Sequence, residues 1–155
     1  MNPGTFTQFY IQLVFSPKHR DRLLVEKIRP RIFEYLSGIT TNLGHKSIII
    51  NGVTDHVHLF LGLNPKISIS ETVKELKRSS SIFINDQKIF PVKFEWQEGY
   101  GGFSYSRSHI ERVYEYIKNQ EKHHQKQTFK EEYMEFLNKY EIEFDEQYLF
   151  EFFDS

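Results

Sequence analysis

Residues 5–15 alternate, with Phe9, Ile11, Leu13 and Phe15 on one face and Gln8, Tyr10 and Gln12 on the other. A period of two predicts a β-strand. Residues 24–43 switch to helical spacing through Ile28, Ile32, Tyr35, Leu36, Ile39 and Leu43, and Gly44 follows as a stop. Two apolar runs, 46–53 and 56–63, are joined by Thr54-Asp55 and predict paired strands. Ser68 and Glu71 make an S-x-x-E start signal for a helix over 68–84, with Ile69, Val73, Leu76 and Phe83 as its stripe. Residues 92–96 read as a short strand, and 97–106, with three glycines, as a loop. A second S-x-x-E, Ser108 to Glu111, opens a helix to about residue 124. Thr128 caps a last helix over 129–139, ahead of an acidic, aromatic tail.

The order β-α-β-β-α-β followed by extra helices predicts an α+β, ferredoxin-like fold: a four-stranded antiparallel sheet with two helices on one face. The first and third strands are then central, and added helices, a partner or a ligand must cover the opposite face. The division expected is a catalytic domain over 1–130 and an acidic helix and tail over 131–155.

Composition narrows the class. With 155 residues, 39% hydrophobic and 26% charged, the chain fits one globular domain. No apolar run reaches the roughly 20 residues of a membrane span, and no secretory signal is visible, so a soluble cytoplasmic protein is expected. The absence of cysteine excludes disulfides, thiolate zinc sites and cysteine nucleophiles. Net charge is −1, but residues 131–155 hold nine acids and only one base, Lys139. Residues 1–130 therefore carry 19 bases against 12 acids, a net of +7 that suits a polyanionic ligand.

His56-Val57-His58 opens the third strand, so both imidazoles project from one face while Val57, Leu59 and Leu61 pack beneath the helices. Two such imidazoles grip a divalent metal if a third ligand arrives from elsewhere. On the helix 108–124, Ile110, Val113, Tyr114 and Ile117 form the expected packing stripe. Tyr116 and Gln120, four residues apart, flank it. Tyrosine can act as a nucleophile and glutamine as a neutral oxygen ligand.

The ordered set Asp55-His56-Val57-His58-Leu59, Leu76-Lys77-Arg78-Ser79-Ser80-Ser81, Trp96-Gln97-Glu98-Gly99-Tyr100-Gly101, Phe103-Ser104-Tyr105-Ser106 and Tyr116-Ile117-Lys118-Asn119-Gln120 resembles the single-tyrosine HUH transposases. These are enzymes of small prokaryotic insertion sequences, with relatives associated with repetitive extragenic palindromes. The resemblance extends to Phe129-Lys130-Glu131-Glu132-Tyr133 and Asp145-Glu146-Gln147-Tyr148.

It implies that His56 and His58 are the metal-binding pair, that Tyr116 is the nucleophile and that Gln120 completes the metal site. The cofactor implied is Mg²⁺ or Mn²⁺. The substrate implied is single-stranded DNA beside a hairpin, cleaved and rejoined through a 5′-phosphotyrosine. It further implies a homodimer whose subunits share active sites. Lys74, Lys77 and Arg78 are candidate phosphate contacts. Two rival expectations are a ferredoxin-like binding module that stacks bases on Tyr10 and Phe60, and a domesticated relative that binds hairpins without transposing.

Overall fold

The computed structural model describes residues 4–18, 23–124 and 127–139. Strands β1 (Tyr10–Phe15), β2 (Lys46–Val53), β3 (His56–Gly62) and β4 (Gly101–Tyr105) form one antiparallel sheet in the order β2-β3-β1-β4. The first and third strands are central, as the ferredoxin-like pattern requires. Helices α1 (Arg29–Asn42) and α2 (Ile69–Asp86) cover one face. Their Ile32, Leu36, Ile39, Val73 and Leu76 meet Ile11, Leu13, Phe15, Val57, Leu59 and Leu61 in the main core. Each fully buried side chain of this size contributes about 1.5–3 kcal/mol.

Local chemistry sets the boundaries. Pro30 sits in the first turn of α1, and Gly44, at φ +84°, ends it in a conformation that favours glycine. Ser68 caps α2 by accepting from the Glu71 backbone N–H at 3.0 Å. The β2–β3 turn is tight: a Cβ on Gly52 would lie 2.2 Å from the His56 carbonyl oxygen, so only glycine fits there.

The fourth strand is not where the apolar pattern predicts it. Residues 92–96 form no named strand. Phe94 exchanges two hydrogen bonds with the Asn85 side chain, and Trp96 makes one isolated bridge to Pro17. Phe94 and Trp96 are buried in the main core, so the alternation reflects packing without a ladder. The sheet is completed instead by Gly101–Tyr105, inside the segment expected to be a loop. Its glycines mask the strand signal, and Gly101 has a packing reason: a Cβ there would lie 2.8 Å from the Tyr133 hydroxyl.

The helix expected over 108–124 is divided. A 3₁₀ turn, Arg107–His109, precedes α3 (Ile110–Lys118), and α4 (Gln120–His124) follows a break at Asn119. Ser108 bonds to Ser106 and His109 rather than forming the expected capping box. Asn51 of β2 donates to the carbonyls of Ile117 and Lys118, satisfying the end of α3. Helix α5 (Phe129–Lys139) begins as expected, with Glu131 N–H donating to Thr128 Oγ1 at 3.2 Å.

Helices α3 and α5 pack on the second face of the sheet. Val113 and Ile117 cover Phe60, and Phe129, Tyr133 and Leu137 pack with Val14 and Phe103. Tyr114, expected on the packing stripe of α3, is 37% exposed, since Val113 and Ile117 alone take the buried centre. Among the described residues no helix is long and apolar enough to cross a membrane. The division at residue 130 falls inside α5, and the matching stretch 145–148 with the rest of the tail lies outside the described residues.

Candidate active site

His56 and His58 project from β3 onto the second face and are fully buried. Strand alternation delivers this: Val57 and Leu59 lie in the main core while the imidazoles face α3, α4 and α5. The break at Asn119 turns Gln120 inward, also fully buried, with its Oε1 3.3 Å from His56 Nε2. The three metal-site residues read from the sequence are therefore brought together.

Glu132 of α5 is the residue that sequence reasoning missed. Its Oε1 lies 3.0 Å from His58 Nε2 and 3.4 Å from His56 Nε2. Its Oε2 accepts from the Tyr116 hydroxyl and lies 3.4 Å from both Gln120 Nε2 and His124 Nε2. A signal was present. Glu132 falls in the stripe Phe129, Tyr133, Phe136, Leu137, where a carboxylate on the buried face of an aromatic helix demands a partner.

His56, His58 and Glu132 can each turn one ligand atom into a group within 4.8 Å of one another. Donor atoms around one cation with bonds of about 2.1 Å sit about 3 Å apart, close to the 3.0–3.4 Å found here. Two imidazoles and one carboxylate form a donor set suited to divalent transition metals. His124 Nε2, buried and without a hydrogen-bond partner among the described residues, faces the same carboxylate. The residues fit a cation. Around them, Asp55 Oδ1 accepts from His56 Nδ1 at 2.8 Å and Gln12 donates to His58 Nδ1 at 2.8 Å. The Phe129 ring stacks on His56 at 3.9 Å.

Electrostatics describe the metal-free state. Burial would lower His56, but hydrogen bonds to Asp55 and Glu132 outweigh it and raise it to about 9. Burial lowers His58 against the pull of Glu132. Burial alone would raise Glu132, yet His58, His124 and His56 hold it well below the usual carboxylate range. His56 is thus the charged imidazole beside an anionic Glu132. Tyr116 is raised, first by burial and then by the charge and hydrogen bond of Glu132.

A cleft of about 790 Å³ opens in front of Tyr116, lined among others by Tyr105, His109, Arg112, Phe136 and Lys139. The sequence candidates on α2 lie elsewhere, on the helix layer across the sheet. Lys77 Nζ donates to the Gln97 and Gly99 carbonyls at 2.7 and 2.6 Å, and burial lowers it to about 8. Arg78 pairs with Glu75 at 2.8 Å, and Lys74 is exposed. Phe60, expected as a stacking platform, is fully buried beneath α3 and offers no surface to a base.

A ferredoxin-like sheet with a histidine pair on its third strand, crossed by a tyrosine-bearing helix, is the single-tyrosine transposase fold. The profile of the family described as "Transposase IS200 like" matches residues 5–120, and the chain belongs to that family. The ISDra2 transposase TnpA of Deinococcus radiodurans is 31% identical over 78 residues, 50% of this chain. The match spans 56% of that relative's own length. A crystal structure of a Deinococcus radiodurans transposase superposes with a TM-score of 0.62 at 25% identity, covering 77% of this chain and 96% of that one. The REP-associated tyrosine transposase bound to a REP hairpin shares the fold, with a TM-score of 0.57 at 12% identity, covering 80% and 74%.

Proposed function

We propose that this transposase-family chain is a metal-dependent strand transferase that cleaves and rejoins single-stranded DNA beside hairpin ends. Tyr116 is its nucleophile. One observation carries the reading: Tyr116 and Glu132 line one cleft, the Tyr116 hydroxyl donates to Glu132, and the same carboxylate reaches the two imidazoles buried behind it. His56, His58 and Glu132 would hold the cation, with Gln120 as a further oxygen donor.

A bound divalent ion would polarise the scissile phosphate and offset the Glu132 charge that keeps the Tyr116 proton in place. The phenolic oxygen attacks phosphorus, a Tyr116–phosphate bond forms, and the bond to the 3′ oxygen breaks. The 3′ oxygen takes up one proton, replacing the one the phenol gives up on attack, and becomes a free hydroxyl, while the 5′ phosphate stays on the protein. Reversal with a different 3′-hydroxyl rejoins the strand, and no hydrolytic water enters. Mn²⁺ suits a site with two imidazoles better than Mg²⁺.

His109, Arg112 and Lys139, at the cleft in front of Tyr116, serve as phosphate contacts in place of the α2 cations. Tyr116 reaches the histidine pair of its own chain, with ring centroids of Tyr116 and His58 6.0 Å apart. The reading is therefore a site completed in cis. The shared-site homodimer implied by the family resemblance is the arrangement against which it is tested. Incubation with a hairpin-bearing single strand and Mn²⁺ should give cleavage and a protein–DNA adduct, both lost on chelation. Hydrolysed product with no adduct would contradict the proposal.

A further inference from the structure

Gln12 occupies the centre of β1 and is fully buried, an unusual place for an amide unless both of its ends are bonded. They are. Its Nε2 donates to His58 Nδ1 at 2.8 Å, and its Oε1 accepts from the Tyr105 hydroxyl at 2.7 Å. The register explains the reach: Val14 is opposite His58 and Gln12 opposite Phe60, so Gln12 is the diagonal neighbour of His58 on the same face.

An amide N–H can only donate, so His58 Nδ1 is the acceptor and the ring proton of the neutral imidazole lies on Nε2. That proton points to Glu132 Oε1 at 3.0 Å. A cation at Nε2 needs the opposite tautomer, with the proton on Nδ1 and an acceptor facing it. Glutamine can offer either atom at one position by a half-turn of its amide. The Tyr105 hydroxyl can follow, since phenol both donates and accepts.

Resting on the metal-site reading above, we propose that Gln12 is a positioning residue that selects the His58 tautomer. Nε2 faces His58 in the metal-free protein, and Oε1 faces it when a divalent cation is bound. The single ring proton moves from Nε2 to Nδ1 through exchange, with no change in total protonation. Tyr105 exchanges its donor role for an acceptor role in the same motion.

The test uses the full chain labelled with ¹⁵N-histidine, read by long-range ¹H–¹⁵N correlation with and without Zn²⁺ as a diamagnetic probe. The expected result is a His58 Nε2–H tautomer without metal and Nδ1–H with it. Mn²⁺ titration calorimetry should show Gln12→Leu weakened about tenfold or more and Gln12→Glu tightened, because outer partners of a ligating histidine typically change affinity 10–100-fold. If Gln12→Leu does not fold, the wild-type spectra still decide. An Nδ1–H tautomer without metal, or Mn²⁺ binding unchanged in Gln12→Leu, would overturn the role of Gln12 while leaving the metal site standing. Wild-type protein that binds no metal, with His58 still as Nε2–H, would overturn the metal site and the amide turn with it.

Discussion

The Tyr116 hydroxyl donates to Oε2 of Glu132, a residue sixteen positions on and in another helix, whose Oε1 faces both histidines. One carboxylate thus joins the Tyr116 hydroxyl to His56 and His58. Glu132→Gln keeps the shape and removes the charge. Mn²⁺ affinity should fall by at least the ~10–100-fold typical of outer-shell partners. Titration calorimetry checks this, and unchanged affinity would remove Glu132 from the site.

The metal-free protein should lose stability in alkali. His56 is raised from 6.5 to about 9, so its contribution is complete below pH 6.5 and lost as pH rises through 9. Glu132 is lowered, so its contribution persists above 4.5 and disappears only in stronger acid. His58, lowered by burial, opposes folding on the acid side. Tm measured in chelator should decline between pH 6.5 and 9, and His56→Gln should flatten that decline. Mn²⁺ affinity should rise over the same window, because the cation competes with the His56 proton.

Much of this was legible in the chain and some was not, for identifiable reasons. A period-2 run, two apolar runs and a true Ser68 cap located β1, β2, β3 and α2, and H-x-H placed both imidazoles on one face. β4 was hidden because Gly101 and Gly102 carry no strand signal, while Phe94 and Trp96 imitate one by packing on the core. Tyr116 and Gln120 were recognisable as a spaced pair, but the break at Asn119 that buries Gln120 was not. Glu132 lay in a segment read as an acidic appendage, and its role emerges only when Tyr133 seats α5 against Gly101.

That seating makes a second prediction about α5. Gly101→Ala places a methyl 2.8 Å from the Tyr133 hydroxyl, an overpacking that costs about 1–3 kcal/mol. Tm should fall and Mn²⁺ affinity should fall with it, because Glu132 is carried on the displaced helix. A Tm loss with metal affinity intact would show that α5 does not hold the site.

The cleft in front of Tyr116 and the α2 surface make opposite demands on DNA binding. Arg112→Ala should weaken single-strand affinity and make its log–log salt slope shallower by about 0.7 per lost phosphate contact. Lys74→Ala should leave both unchanged. Lys77→Ala should lower Tm, since Lys77 ties down the Gln97 and Gly99 carbonyls. Fluorescence anisotropy across a salt series separates these outcomes.

Arrangement within one chain is open to a mixing assay. If Tyr116 serves the histidines of its own chain, Tyr116→Phe mixed with His56→Ala should give no more cleavage than either alone. Restored cleavage would establish a shared-site dimer.

The most direct measurement is the identity of the residue that carries DNA. A hairpin-bearing single strand, Mn²⁺ and the full chain should yield a denaturation-resistant adduct, and peptide mass mapping should place the 5′-phosphate on Tyr116. Tyr116→Phe removes one hydroxyl and keeps the ring, so it should abolish the adduct while metal binding persists. Tyr114→Phe, on the exposed side of α3, should leave the adduct intact. An adduct that survives in Tyr116→Phe, or that maps to Tyr114 or Tyr105, would contradict the account.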